Sequence, residues 1–196
     1  YDPIPGPILI CGDQASGKTT LLQTIARATE FLHSPSEVQY NIITQHTNEW
    51  DAFHGNQNNA GIYATQEPTA QDLLISLVTW AHNNKGTQQS ILLFIDNLEV
   101  LIKLDQKAEQ NLRWLLLRGP SRRVWPIVTI NASHAKKMEP WLEFFRTRLF
   151  SRTSDSNDSY LLTGNSNEVL KDLTAGSEFT MQEGNNWLNF WAPVID

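Results

Sequence analysis

Short, continuous apolar runs alternate with segments whose apolar positions recur at helical spacing along most of the chain. Residues 8–11 (Ile-Leu-Ile-Cys) and 91–95 (Ile-Leu-Leu-Phe-Ile) contain no polar member, as expected for strands buried on both faces of a parallel sheet. Residues 38–43 and 126–130 read as two further strands, and 62–64 as another short one. From Lys18 to Leu32 the apolar positions Leu21, Leu22, Ile25, Ala26, Ala28 and Leu32 keep helical spacing, and Ser34-Pro35 stops that helix. Thr69-x-x-Asp72 predicts a capped helix carrying Leu73, Leu74, Leu77, Val78, Trp80 and Ala81. Further helices are expected over 108–117, ended by Gly119-Pro120, and over 141–145. The polar stretches after Ile43 and over 83–90 read as loops. In the last quarter, 149–150, 160–162 and 187–191 are expected as short strand-like pieces between turn residues. Strands alternating with helices in this way argue for an α/β fold, its central sheet mostly parallel and covered by helices on both faces.

With 196 residues the chain is one domain long. Pro3, Pro5, Gly6 and Pro7 make residues 1–7 a linker-like lead-in to a single domain over 8–196, and a start at Tyr1 suggests a processed product or excised piece. The single Cys11 excludes a disulfide framework and a structural zinc site, and fits a reducing compartment. No apolar run approaches the ~18 residues of a membrane span, and no basic-plus-apolar leader opens the chain. A cytoplasmic location is expected, with any membrane tether lying outside this chain. The net charge of −6 argues against a surface wholly devoted to nucleic acid. It hides an asymmetry: between Lys103 and Arg152 lie 11 of the 15 Lys and Arg residues against four acids, which leaves −13 for the remainder. That basic stretch is a solvated face, a phosphate-contacting surface, or a surface that meets the acidic face of a neighbouring copy.

Gly12-Asp13-Gln14-Ala15-Ser16-Gly17-Lys18-Thr19 matches the P-loop pattern G-x-x-x-x-G-K-[ST] at every fixed position, and Thr20 follows it into the helix. The context fits too, because a buried strand runs in and an amphipathic helix runs out. Glycines let successive N–H groups turn toward one point, and the helix N-terminus adds its positive dipole end. Lys18 is placed to bridge β- and γ-phosphate oxygens of ATP, and Thr19 to hold Mg²⁺. Asp96 ends the apolar run 91–95 and supplies the second magnesium-directed group. The next residue, where many such ATPases place a Glu, is Asn97, an amide that orients a water but takes no proton from it. Glu99 lies two residues on and substitutes if the loop bends back. Asn131 ends the strand over 126–130 and becomes a γ-phosphate sensor if that strand lies between those ending at Cys11 and Asp96.

The order of these features, with Arg118-Gly119-Pro120-Ser121-Arg122-Arg123, Phe145-Arg146-Thr147-Arg148-Leu149-Phe150, the Leu161-Leu162-Thr163-Gly164 tail and the closing 187–191 strand, resembles the FtsK/HerA family of hexameric motor ATPases. The resemblance spans nearly the whole chain, though only the P-loop and the Asp96 strand are specific by themselves. It implies a RecA-like P-loop fold with short C-terminal strands and nucleotide at the carboxyl ends of the strands. It also implies ring neighbours, with an arginine from one subunit reaching the next; Arg122, Arg123, Arg146 and Arg148 are the candidates. The family usually shows Asp-Glu where Asp96-Asn97 stands, and often Gln where Asn131 stands.

Three functions compete. The first is a motor domain that moves DNA or polypeptide as part of a homo-oligomeric ring. The second is a switch or scaffold that holds ATP without efficient turnover, favoured by Asn97. The third, a small-molecule kinase, needs an arginine-rich lid that the 118–123 cluster only weakly suggests.

Overall fold

The computed structural model describes residues 6–84, 86, 88–102, 105–165, 168–183 and 186–193. Residues 1–5 of the lead-in and Lys103 at the head of the basic stretch lie outside them. The strands are β1 (Ile8–Gly12), β2 (Val38–Thr44), β3 (Asn59–Ala64), β4 (Ser90–Ile95), β5 (Val124–Asn131), β6 (Thr147–Phe150), β7 (Glu178–Glu183) and β8 (Asn186–Trp191). They form one sheet in the order β3-β2-β4-β5-β1-β6-β7-β8. The first six run parallel, and β7 and β8 close the edge as an antiparallel hairpin.

The helices are α1 (Lys18–Leu32), α2 (Pro68–Asn83), α3 (Leu98–Leu101), α4 (Gln106–Arg118), α5 (Ala135–Leu142) and α6 (Ser156–Thr163). Because strand side chains alternate, each all-apolar run feeds two cores at once. Leu9, Leu93, Ile95, Val128 and Ile130 point into the layer under α2, α4 and α5, where Leu74, Leu115 and Met138 meet them. Ile10, Ile42, Phe94 and Ile127 point the other way, toward Leu22 and Ala26 of α1 and toward Trp50 and Phe53. Those two aromatics belong to a 3-10 segment, Thr47–Phe53, that structures the polar stretch after β2. Trp50 is wholly buried, its ring 5.1 Å from Phe53 and 6.3 Å from Phe94.

Three expectations are corrected. Residues 160–162 belong not to a strand but to α6, whose start is capped by the Asp155 carboxylate accepting from the Asn157 and Asp158 amides and whose end is Gly164 in the left-handed region. The helix expected over 141–145 instead spans Ala135–Leu142, with Pro140 inside it. The capping box on α2 does not form: Pro68 occupies the first turn, the N-cap is Glu67, and Thr69 donates its hydroxyl to the Glu67 carboxylate.

Arg148, on β6, spends its guanidinium on three backbone carbonyls, those of Phe145, Leu162 and Leu142, at 2.7–3.2 Å. It thereby ties α5, β6 and α6 together. Truncating it strands those acceptors, and each costs about 1–3 kcal/mol if left unsatisfied. Arg148→Ala is expected to lower unfolding stability by about 2–4 kcal/mol in urea titration, whereas Arg122→Ala, at an exposed position, leaves it unchanged.

Candidate functional site

The parallel register brings the polar strand ends to one place. Gly12 of β1 pairs with Asn131 of β5, and Ile95 of β4 pairs with Val128, so Asp96 falls beside Thr129. As the sequence required, β5 lies between β4 and β1. Above these ends opens a cleft of about 590 Å³ walled by the P-loop, Asp96, Asn97, Glu99, Asn131 and His134. Arg122, Arg123, Arg146 and Arg148 are not part of it. They precede or begin β5 and β6, at the opposite end of the sheet, and Arg123 is occupied by the Gln88 carbonyl and side chain.

The P-loop glycines are required by contact. A Cβ on Gly12 would lie 1.8 Å from the Ser151 hydroxyl. At Gly17, where φ is +96°, a Cβ would lie 2.7 Å from the Gly176 Cα. Two distant segments therefore seat the loop. After β6, the Ser151 hydroxyl meets that of Ser16 at 2.6 Å, and the Ser154 amide donates to the Asp13 carboxylate at 2.8 Å. Ahead of β7, the Gly176 amide donates to the Ser16 carbonyl at 3.0 Å.

Lys18 turns its ammonium onto the Gly12 and Asp13 carbonyls, at 3.2 and 2.6 Å. Burial pulls its pKa below the ordinary value, against the opposing pull of Glu99 and Asp96. A phosphate group entering the cleft supplies a stronger acceptor than those carbonyls. Asp96 is 2% exposed. Its carboxylate accepts from the Thr19 hydroxyl at 2.9 Å and from the Thr129 hydroxyl at 2.8 Å. Burial raises its pKa while these two hydroxyls hold it down. Thr19 and Asp96 thus form a pair of hard oxygen donors beside the loop, the donor set that suits Mg²⁺. No cluster of three or more His, Cys, Asp or Glu residues able to hold a metal occurs among the described residues. That leaves the remaining magnesium ligands to water and phosphate, as is usual for this ion. The P-loop and this donor pair fit a magnesium nucleotide.

Asn97 adopts φ +69°, and its amide donates to the Thr129 hydroxyl at 2.8 Å. Asn tolerates this left-handed backbone better than Glu does. The turn sends α3 back toward β5, and Glu99 reaches Asn131, whose side-chain and backbone N–H groups donate to Glu99 Oε1 at 2.8 and 3.1 Å. His134 Nδ1 lies 3.2 Å from the same oxygen. Cys11, beneath the loop, has its thiol pushed up to about 12 by burial, so it carries no reactive chemistry here. Sequence reasoning missed Thr129, His134, Ser151 and Gly176. Only Thr129 left a signal, as a lone hydroxyl within an apolar strand.

Gly17→Ala is expected to unseat the 174–177 segment and the loop together. Urea titration should show a loss of roughly 1 kcal/mol or more from the backbone conformation alone, and equilibrium dialysis should show loss of nucleotide binding.

No protein-family model matches the chain, and no curated protein matches its sequence. Solved structures do. The cytoplasmic domain of the Thermomonospora curvata type VII secretion ATPase EccC matches with a TM-score of 0.81 at 16% identity, over 97% of this chain and 26% of that one. The pCW3 conjugation coupling protein TcpA, solved as a monomer with ATPγS, matches at 0.71 and 16% identity, over 100% of this chain and 62% of that one. The genome packaging NTPase B204 of Sulfolobus turreted icosahedral virus 2, in complex with sulfate, matches at 0.67 and 14% identity, over 97% of both chains. The chain therefore spans about a quarter of EccC's cytoplasmic domain and nearly all of B204. Its eight-stranded, mostly parallel sheet is the fold of the FtsK/HerA-like P-loop motor ATPase domains that its sequence resembles.

Proposed function

We propose that residues 8–196 form one ATP-binding motor domain of a ring-forming translocase, which takes Mg²⁺·ATP into the P-loop cleft and hydrolyses it slowly when alone. The observation that carries this reading is the 2.9 Å contact between Thr19 and Asp96 at the mouth of a complete P-loop. The Gly12–Thr20 backbone and Lys18 bind and neutralise the phosphates; Thr19 and Asp96 hold Mg²⁺, which supplies charge neutralisation on the β- and γ-phosphate oxygens. Asn131, beside the P-loop in register, senses the γ-phosphate. Asn97 orients water without accepting its proton.

In a head-to-tail ring each subunit offers a different surface to each neighbour. Arg122 and Arg146 are both exposed, with no side-chain hydrogen bond among the described residues. They are therefore freer than Arg123 and Arg148 to approach a neighbour's γ-phosphate. Such an arginine is worth ~10³-fold or more in phosphoryl transfer, so the isolated chain lacks much of its rate. The moved polymer is DNA or a polypeptide, since the structural neighbours include both a genome packaging NTPase and a secretion ATPase. A cytoplasmic placement belongs to the same proposal; among the described residues no helix is long and apolar enough to cross a membrane. A switch that holds ATP without turning it over is the second reading, favoured by the amide at position 97.

Calorimetry with Mg²⁺·ATPγS is expected to show binding that Lys18→Ala weakens by about 10- to 150-fold, the worth of hydrogen bonds to a charged group. Equal dissociation constants would remove the phosphate site from the P-loop. Turnover of the isolated chain is expected below about 1 s⁻¹. Mass photometry with nucleotide should show assembly, and Arg122→Ala or Arg146→Ala should slow the assembled sample. Unchanged turnover in both leaves the trans arginine elsewhere.

A further inference from the structure

Glu99 is 3% exposed, yet it uses its two carboxylate oxygens unequally. Oε1 accepts from the Asn131 backbone and side-chain N–H groups and faces His134 Nδ1. Oε2 is buried and has no hydrogen-bond partner. An unsatisfied buried carboxylate oxygen is costly, so a glutamate kept only to brace Asn131 is expected to satisfy both. Saturating one oxygen from three directions fixes the roll and tilt of the carboxyl group and leaves the other for a ligand. Glu99 lines the same cleft as Lys18 and Thr19.

The bracket comes from three places. The left-handed turn at Asn97 starts α3 so that Glu99 returns to the sheet; Asn131 pairs in register with Gly12; and His134 ends a short turn, Ala132–His134, that leads into α5. The His134 side chain is 47% exposed and lines the cleft. With the proton on Nδ1 it donates to Glu99.

We propose that Glu99 accepts the proton of the attacking water through Oε2, and that His134 and Asn131 are positioning residues that aim it. The proposal rests on the ATP-hydrolysing reading above. The water oxygen bonds to the γ-phosphorus as the bond from that phosphorus to the β,γ-bridging oxygen breaks. The bridging oxygen leaves with the electron pair as part of ADP, and one water proton passes to Glu99 Oε2, from which it returns to solvent. ATP and water are the only reactants, and Asn97 keeps the orienting role that its amide allows.

The test compares the wild-type chain with Glu99→Gln, His134→Ala and His134→Gln, by calorimetry with Mg²⁺·ATPγS, single-turnover phosphate release from Mg²⁺·ATP, and thermal melting. All four should bind within about threefold of one another. Glu99→Gln should release phosphate ~10²–10⁴-fold more slowly, the worth of a general base. His134→Ala should lower kcat about tenfold or more through misplacement of the carboxylate, with KM and melting temperature unchanged, and His134→Gln, which keeps an N–H donor, should recover much of that loss. In nucleotide-free protein at alkaline pH, the ¹⁵N imidazole spectrum should report His134 protonated on Nδ1. Glu99 is buried, so the half-exposed His134 and the spectrum decide the matter if Glu99→Gln does not fold. Wild-type phosphate release by Glu99→Gln, or by His134→Ala, overturns the corresponding assignment. So does an Nε2–H tautomer for the bracket, and bound ATP that is never hydrolysed for the base. A wild-type chain that binds no ATPγS overturns the nucleotide reading itself, and this proposal falls with it.

Discussion

Asp96 is a carboxylate shut almost completely away from water at the point where the central strands end. Such a group persists only if the surrounding structure hydrogen-bonds it. Thr129 provides that from β5, and Thr19 from the first turn of α1. The same Thr129 hydroxyl accepts the Asn97 amide and so passes the constraint on to the turn that starts α3. The mutual placement of P-loop, strand ends and α3 is thus settled by one charge and the groups recruited to hold it. Alignment of β4, β5 and β1 makes this possible, since a one-residue slip would carry Thr129 to the other face of the sheet.

Asn97 has a backbone reason as well as a chemical one. In the left-handed region a glutamate meets a steric cost that asparagine largely escapes. The turn that disfavours a carboxylate at position 97 also swings the next turn of chain inward, so that Glu99 meets Asn131. The loss of an acid from one position and its appearance two residues later are consequences of a single dihedral angle.

The parts of this architecture that depend on neighbours in sequence were legible in it. The all-apolar runs announced β1 and β4, the spacing of Leu21, Leu22, Ile25 and Ala26 announced α1, and the P-loop letters announced their own geometry. The place of β5, and with it that of Asn131, followed once the order of strands was known. The short C-terminal elements were misread where local chemistry outweighs hydrophobic texture. Tyr160-Leu161-Leu162 looks like a strand until the Asp155 cap before it and Gly164 after it are given their weight. Likewise Pro68 moved the start of α2 ahead of the Thr69 box. His134, Ser151 and Gly176 were illegible for a different reason: each acts on a residue far away in the chain, and no local pattern encodes that meeting. The arginines show the same limit from the other side, since sequence could not reveal that Arg148 is consumed by carbonyls while Arg146 is open.

The seating of the P-loop by Ser151 and Gly176 has a consequence for how this protein is made. The loop leaves the ribosome early, but Ser151 follows Ser16 by 135 residues, roughly 7 to 27 s of synthesis at about 5–20 residues per second. Until the segments after β6 arrive, the loop lacks the hydroxyl and the amide that seat it. Nucleotide can stabilise only a chain able to bind it. It therefore cannot act as a folding ligand for the nascent chain, and its contribution begins only after the last third has emerged. Through that interval the apolar strands β1 and β4 depend on one another, or on chaperones, for cover.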